Sequence, residues 1–287
     1  MTFRLIIGAL LLALVSPAAS ATLDTQPDDI DRAFVRFYNF DFQGAHQILN
    51  TYLSSHPDDA MGYAVRAAVY LYTELDRLGI LESEFFSDDN KITEKKKLKP
   101  DPEIRRQFFK AVEDARSASR SKLAAAPTDY HAMFGACMVE GLLADYTALI
   151  EKKQLGSLSY DKRSNLCAQG VLKAHPDAYD VYVTKGFTEY LVGSLPFFVK
   201  WFVHFDNVEG NKDVGIDNLQ LVVRSGRYLK SFAKILLAVI YLREKKTDQT
   251  ERILAELSQE YPENRVFRTE LAKISGRIHG GVAGSSR

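Results

Sequence analysis

Residues 231–264 read SFAKILLAVIYLREKKTDQTERILAELSQEYPEN. Apolar residues recur at helical spacing from Ser231 to Lys245. Arg243-Glu244-Lys245-Lys246-Thr247-Asp248 makes a polar turn, and Leu254 and Leu257 line a second helix that stops at Tyr261-Pro262. Pro ends a helix because it pushes the preceding residue out of the helical region, and it suits the first turn of the next one. Two helices of this length, each apolar on one stripe, cannot bury that stripe alone and must stack on similar neighbours.

The same punctuation returns upstream. His56-Pro57-Asp58-Asp59, Ala126-Pro127-Thr128-Asp129 and His175-Pro176-Asp177-Ala178 each separate two apolar helical patterns, as Tyr261-Pro262-Glu263-Asn264 does. Six residues after the first three prolines stand Tyr63, Met133 and Tyr182; ten residues after them stand Ala67, Cys137 and Gly186. A large residue followed four places later by a small one lies on one helix face and lets two helices approach. No stretch alternates with β-branched enrichment over the length a sheet needs, so the predicted fold class is all-α.

Leu237-Ala238 and Tyr241 in the first helix, Leu254 and Leu257 in the second and Pro262 at the end resemble the 34-residue tetratricopeptide (TPR) repeat, with Thr250 where that family prefers Ala. Gly44-Ala45, Leu49 and Pro57 resemble the second helix of another copy, while residues 100–190 fit only loosely. Leu195-Pro196-Phe197-Phe198-Val199-Lys200-Trp201, then 210–216, then Ser225-Gly226-Arg227-Tyr228-Leu229, resemble a largely uncharacterised group of exported bacterial tetratricopeptide proteins. They are more faintly similar to a eukaryotic outer-membrane tetratricopeptide family involved in inclusion clearance. The resemblance implies a TPR-like α-helical hairpin solenoid and brings no catalytic residues with it.

At the start of the chain, Arg4 precedes an apolar run from Leu5 to Val15, then Ser16-Pro17 and the small residues Ala18-Ala19-Ser20-Ala21. This is the pattern of a signal peptide (residues 1–21) cleaved after Ala21, too short for a stable span of roughly 20 apolar residues. It predicts export, in bacteria to the periplasm, with a helical repeat domain over 22–275. A charged loop is expected at about 82–102, where Asp88-Asp89 is followed by Lys95-Lys96-Lys97 and Lys99, and a flexible Gly- and Ser-rich tail over 276–287.

With 37 basic against 37 acidic residues in 287, the chain has no general charge with which to hold nucleic acid. Two cysteines cannot build a disulfide scaffold or a four-thiolate zinc site. If the helices near 130–149 and 160–174 form an antiparallel hairpin, Cys137 and Cys167 lie opposite each other. They are then either a disulfide, plausible in an oxidising compartment, or Cys137 is simply the small packing residue of its helix.

Chemistry is hard to find in the sequence. The six histidines include no His-x-x-x-His pair, so no metal is expected. Ser119-Arg120-Ser121-Lys122 and Ser231-Phe232-Ala233-Lys234 match a Ser-x-x-Lys motif but lack its Ser-Asp-Asn and Lys-Thr-Gly partners. Carboxylates are plentiful and read as solvated helix faces. No nucleophile-base-orienter set is readable, and the expectation is a non-enzymatic protein without cofactor.

The face that lines the concave groove in tetratricopeptide proteins is mostly apolar here: Ala64, Leu71, Phe134, Met138, Val183, Phe187, Tyr190, Phe232 and Val239. Either that groove binds an apolar helix or lipid-like chain, or a tightly wound solenoid makes it core. Phe197, Phe198, Trp201, Phe202 and Phe205 cover more than one helix face and are read, with Tyr190, as candidate partner contacts or as core. The functional expectation is a protein–protein interaction scaffold of the cell envelope. The alternative is a carrier or binding protein for an apolar ligand, and contact with a membrane surface is a further option.

Overall fold

The computed structural model of the chain describes residues 28–82, 98–194 and 210–284. The expected signal segment, most of the charged loop, and the aromatic stretch Leu195–Phe205 with Phe197, Phe198, Trp201 and Phe202 lie outside those residues.

Among the described residues there are eleven α-helices and no strand. They are α1 (Asp29–Tyr38), α2 (Phe42–Ser55), α3 (Ala60–Arg77), α4 (Pro102–Ala125), α5 (Tyr130–Asp145), α6 (Gln154–Ala174), α7 (Tyr182–Ser194), α8 (Lys212–Ser225), α9 (Lys230–Arg243), α10 (Thr247–Glu260) and α11 (Arg265–Gly284). Neighbours in sequence pack as pairs, and α3 also lies directly against α5.

The proline punctuation has a capping residue built into it. Asp59 and Asp129, two positions after Pro57 and Pro127, accept the Gly62 and Ala132 amides at 2.9 Å and so start α3 and α5. Asn264, two after Pro262, accepts the Val266 amide at 2.9 Å at the start of α11. Short Asx side chains satisfy helix amides that have no partner of their own. After Pro176 the corresponding residue is Ala178, which has no such group, and α7 is there preceded by a 3₁₀ turn at Tyr179–Val181.

Small residues set the closest approaches. A Cβ on Gly186 would stand 2.9 Å from the Gly215 carbonyl oxygen, and one on Gly135 would stand 2.8 Å from the Ala60 carbonyl oxygen. These contacts seat α7 on α8 and α5 on α3. Thr250, in place of the expected Ala, is 2% exposed and its hydroxyl donates within the crowded α9–α10 interface to the carbonyls of Lys246 (3.2 Å) and Ala238 (3.4 Å).

The helical array curls until its first pair meets its last helices. The Tyr38 hydroxyl donates to the Tyr228 carbonyl at 3.3 Å, and the fully buried Asn264 donates to the Tyr38 carbonyl at 2.8 Å. Arg227 pairs with Asp28 and Asp31, both at 2.7 Å. Asp180, buried after α6, receives the Arg227 and Leu229 amides at 3.0 and 2.7 Å and fixes the turn that brings Tyr228 to α1.

Two boundaries differ from the sequence reading. After α5 and the π-helical turn Tyr146–Ile150 that prolongs it, the connection is only residues 151–153, because Gln154–Gly156 already belong to α6. Helix α11 continues past Ser275 to Gly284, beyond the point at which composition predicts fraying. Its first half is anchored by buried Phe267 and Ile274, and a helix once nucleated extends at little cost per residue.

Candidate functional site

Inside the curl lies a cavity of about 390 Å³ lined by side chains from α1, α3, α5, α6, α7, α9, α10 and α11. Most of this lining is apolar. Helix α9 contributes Phe232, Ile235 and Val239, α7 contributes Val183 and Phe187, and α10 contributes Leu254 and Leu257. The helix periodicity explains the supply: Phe232, Ile235, Leu236 and Val239 recur at three- and four-residue steps and share one face of α9.

Where the sequence groups nine residues into one groove, the structure divides them. Val183, Phe187, Phe232 and Val239 line the cavity, whereas Ala64, Leu71 and Phe134 are sealed under neighbouring helices, with Met138 packed against them. Tyr190, read from the sequence as a partner contact, is 2% exposed; its hydroxyl donates to Glu244 at 3.0 Å and its ring packs with α8 and α9 side chains. It presents no surface to a partner, because the α7–α8 and α8–α9 interfaces close over it.

Cys137 and Cys167 are joined in a disulfide with their Cα atoms 5.4 Å apart, tying α5 to α6. Cys137 also packs in the core formed by α1, α2, α3, α5 and α6. Four residues on from Cys137, along the same face of α5, Gly141 begins the part of the hairpin that faces the cavity.

That cavity side is not apolar. Helix α5 places Gly141, Ala144 and Asp145 there, the turn that follows it places Ala148, and α6 places Ser157, Asp161 and Ser164. Both sets follow the helical repeat, so each is a stripe, and the two stripes face the cavity together. Directly after Asp145 the α-helix loosens into a π-helical turn, Tyr146–Ile150, a device often found at functional sites.

Asp145 is surrounded by protein, and the surface it retains faces the cavity. Burial, then the nearby Asp161 carboxylate, pushes its pKa up to about 7. Burial also raises Asp161 to about 6, opposed by a hydrogen bond from Ser157. Tyr72 of α3, likewise in the lining, is held well above its ordinary value by burial and then by Asp145. Glu270 of α11 is the third lining carboxylate; it is 4% exposed, and Lys273 reaches its Oε1 at 2.9 Å while its Oε2 has no partner. The Ser164 hydroxyl, 2% exposed, also lacks a partner among the described residues.

These acidic groups escaped the sequence reading, which assigned carboxylates to solvated faces. A signal was present. Tyr130–Ile150 is a 21-residue helix apolar enough to cross a membrane by length and composition. Its charged residues are Glu140 and Asp145. Glu140 receives Arg116 and Arg163, which leaves Asp145 as the carboxylate that no basic residue pairs among those described.

Among the described residues no group of three or more His, Cys, Asp or Glu side chains is placed to hold a metal ion. No protein-family model matches the chain, and comparison with curated proteins and with solved structures finds no match either.

Proposed function

We propose that this chain is an exported, tetratricopeptide-like helical binding protein of the bacterial envelope that carries an apolar ligand in its central cavity and performs no chemistry on it. The observation that carries the reading is the cavity itself. At about 390 Å³ it falls within the range of about 300–1,000 Å³ typical of small-ligand sites, and it is apolar with a few convergent polar groups. The repeat reading draws support from the α9–α10 hairpin, whose helices and three-residue turn span 230–260 and leave 261–264 of the 34-residue segment 231–264 for the turn into α11.

A protein-interaction scaffold is served less well. A peptide partner would need the groove face of the early repeats, and Ala64, Leu71 and Phe134 are covered there by the protein's own helices.

The test is binding of N-phenyl-1-naphthylamine, whose fluorescence rises in an apolar site. Saturable binding to the purified protein, lost in Ala148→Phe with helical content retained, is the expected result. Absence of binding, or binding untouched by that cavity-filling change, overturns the reading.

A further inference from the structure

We propose that the occupant of the cavity is a cationic amphiphile, a hydrocarbon chain with an amine head group, and that the head group is held at the Asp145–Asp161 wall. The inference rests on the ligand-carrier reading and adds the chemical class of the ligand.

Charge complementarity decides the head group. The charged side chains among the described lining residues are Asp145, Asp161 and Glu270, and none is Lys, Arg or His. An ionised carboxylate in an apolar surround is costly unless it is paired and hydrogen-bonded. A fatty acid would bring a further negative charge to this wall. Glu270 has Lys273 beside it, but a neutral lipid would leave Asp145 and Asp161 with no counter-charge among the described lining residues. An ammonium group supplies the missing positive charge and up to three donors.

Two lining residues, Ser164 three positions after Asp161 on α6 and Glu270 on α11, also carry acceptors to spare. Ser164 Oγ and Glu270 Oε2 are buried, lie in the lining and have no hydrogen-bond partner among the described residues. Buried polar atoms are ordinarily satisfied, so orphans that border a cavity mark a place for a ligand's donors. Gly141 lies beside Ser164: a Cβ there would stand 3.8 Å from Ser164 Oγ, with no other atom of another helix within 4 Å among the described residues. The hydrocarbon then lies among Val183 and Phe187 of α7 and Phe232 and Val239 of α9.

The groups that bear on Asp145 from other elements are Asp161 of α6 and Tyr72 of α3, and the cavity also holds Glu270 of α11 and Tyr38 of α1. Tyr38 and Tyr72, both raised by burial, stay neutral in that range, and Glu270 is paired with Lys273 of the same helix. Amine affinity therefore rises as the pH climbs through about 6 to 7 and the two aspartates ionise.

The experiment is displacement of bound N-phenyl-1-naphthylamine at pH 8 by dodecylamine, dodecanoate and dodecanol, each below its aggregation concentration. Dodecylamine is expected to displace the probe at a concentration at least about tenfold lower than dodecanoate, the lower end of what close charge pairs contribute. Asp145→Asn and Asp161→Asn should each erase that preference and leave dodecanol unchanged. Equal displacement by the three ligands overturns the head-group assignment while the cavity reading stands. Equal loss of all three in both variants makes the carboxyls structural and overturns it too. If the probe itself does not bind, the ligand-carrier reading fails first.

Discussion

Replacing Asp145 by Asn is expected to stabilise the folded protein above neutrality and to leave it nearly unchanged in acid. In the unfolded chain this carboxyl titrates near 3.8; in the folded protein it titrates near 7. Between those values the folded state keeps a proton that the unfolded state has released, so stability falls as the pH rises and levels off above about 7. One pH unit corresponds to about 1.36 kcal/mol, so an interval of roughly three units makes the ionised carboxylate a burden of about 4 kcal/mol at pH 8. Asparagine keeps the shape and cannot ionise. The variant should therefore match the wild type near pH 4 and exceed it by up to about 4 kcal/mol at pH 8, with Asp161 retaining a similar slope of its own that ends near pH 6. Urea denaturation followed by circular dichroism across pH 4 to 8 measures the difference directly. An Asn variant that is equally stable or less stable at pH 8 would show that Asp145 already has a favourable ionic partner, and the account of the cavity wall would fall with it.

Other outcomes follow from the packing and the termini. Gly186→Ala, which drives a methyl to within 2.9 Å of the Gly215 carbonyl oxygen and of Leu219 Cγ, should cost about 1–3 kcal/mol in the same denaturation assay. Reducing the Cys137–Cys167 bridge, which closes a sequence separation of 30, should lower stability by about 3–4 kcal/mol. Alkylation of the unfolded, unreduced protein should label neither thiol, and labelling of both would exclude the bridge. The secreted protein should begin at Thr22 by intact mass, and a mass corresponding to the full chain would exclude cleavage after Ala21.

Helix order was legible because each boundary rests on local chemistry. Pro57, Pro127 and Pro262 mark the ends of helices, and the Asx residue two positions later supplies the cap of the next one. The small residues Ala67, Cys137 and Gly186 stand ten positions after their prolines and are all buried at helix contacts. None of that requires knowing how the array closes. The closure comes from single long-range bonds, Asn264 to the Tyr38 carbonyl and Asp180 to the Arg227 and Leu229 amides. An isolated Asn or Asp carries no mark in a sequence that says its partner lies 226 or 47 residues away.

The cavity was half legible for the same reason. The α7 and α9 apolar faces could be read from spacing, but whether they meet each other or enclose space depends on the curl. Had α1 not been drawn against Tyr228 and Tyr261, these faces would line an open groove fit for a peptide. Drawn together, they bound a compartment that α1, α3, α10 and α11 also line and of which the α5–α6 hairpin is one wall. That hairpin is tied by Cys137–Cys167 and carries Asp145, eight residues after Cys137, and Asp161, six residues before Cys167. The disulfide thus does for the site what it does for the fold: it holds rigid the one pair of helices that brings two carboxyls of raised pKa together. Reduction should for this reason weaken binding of an amine more than binding of an alcohol of the same chain length.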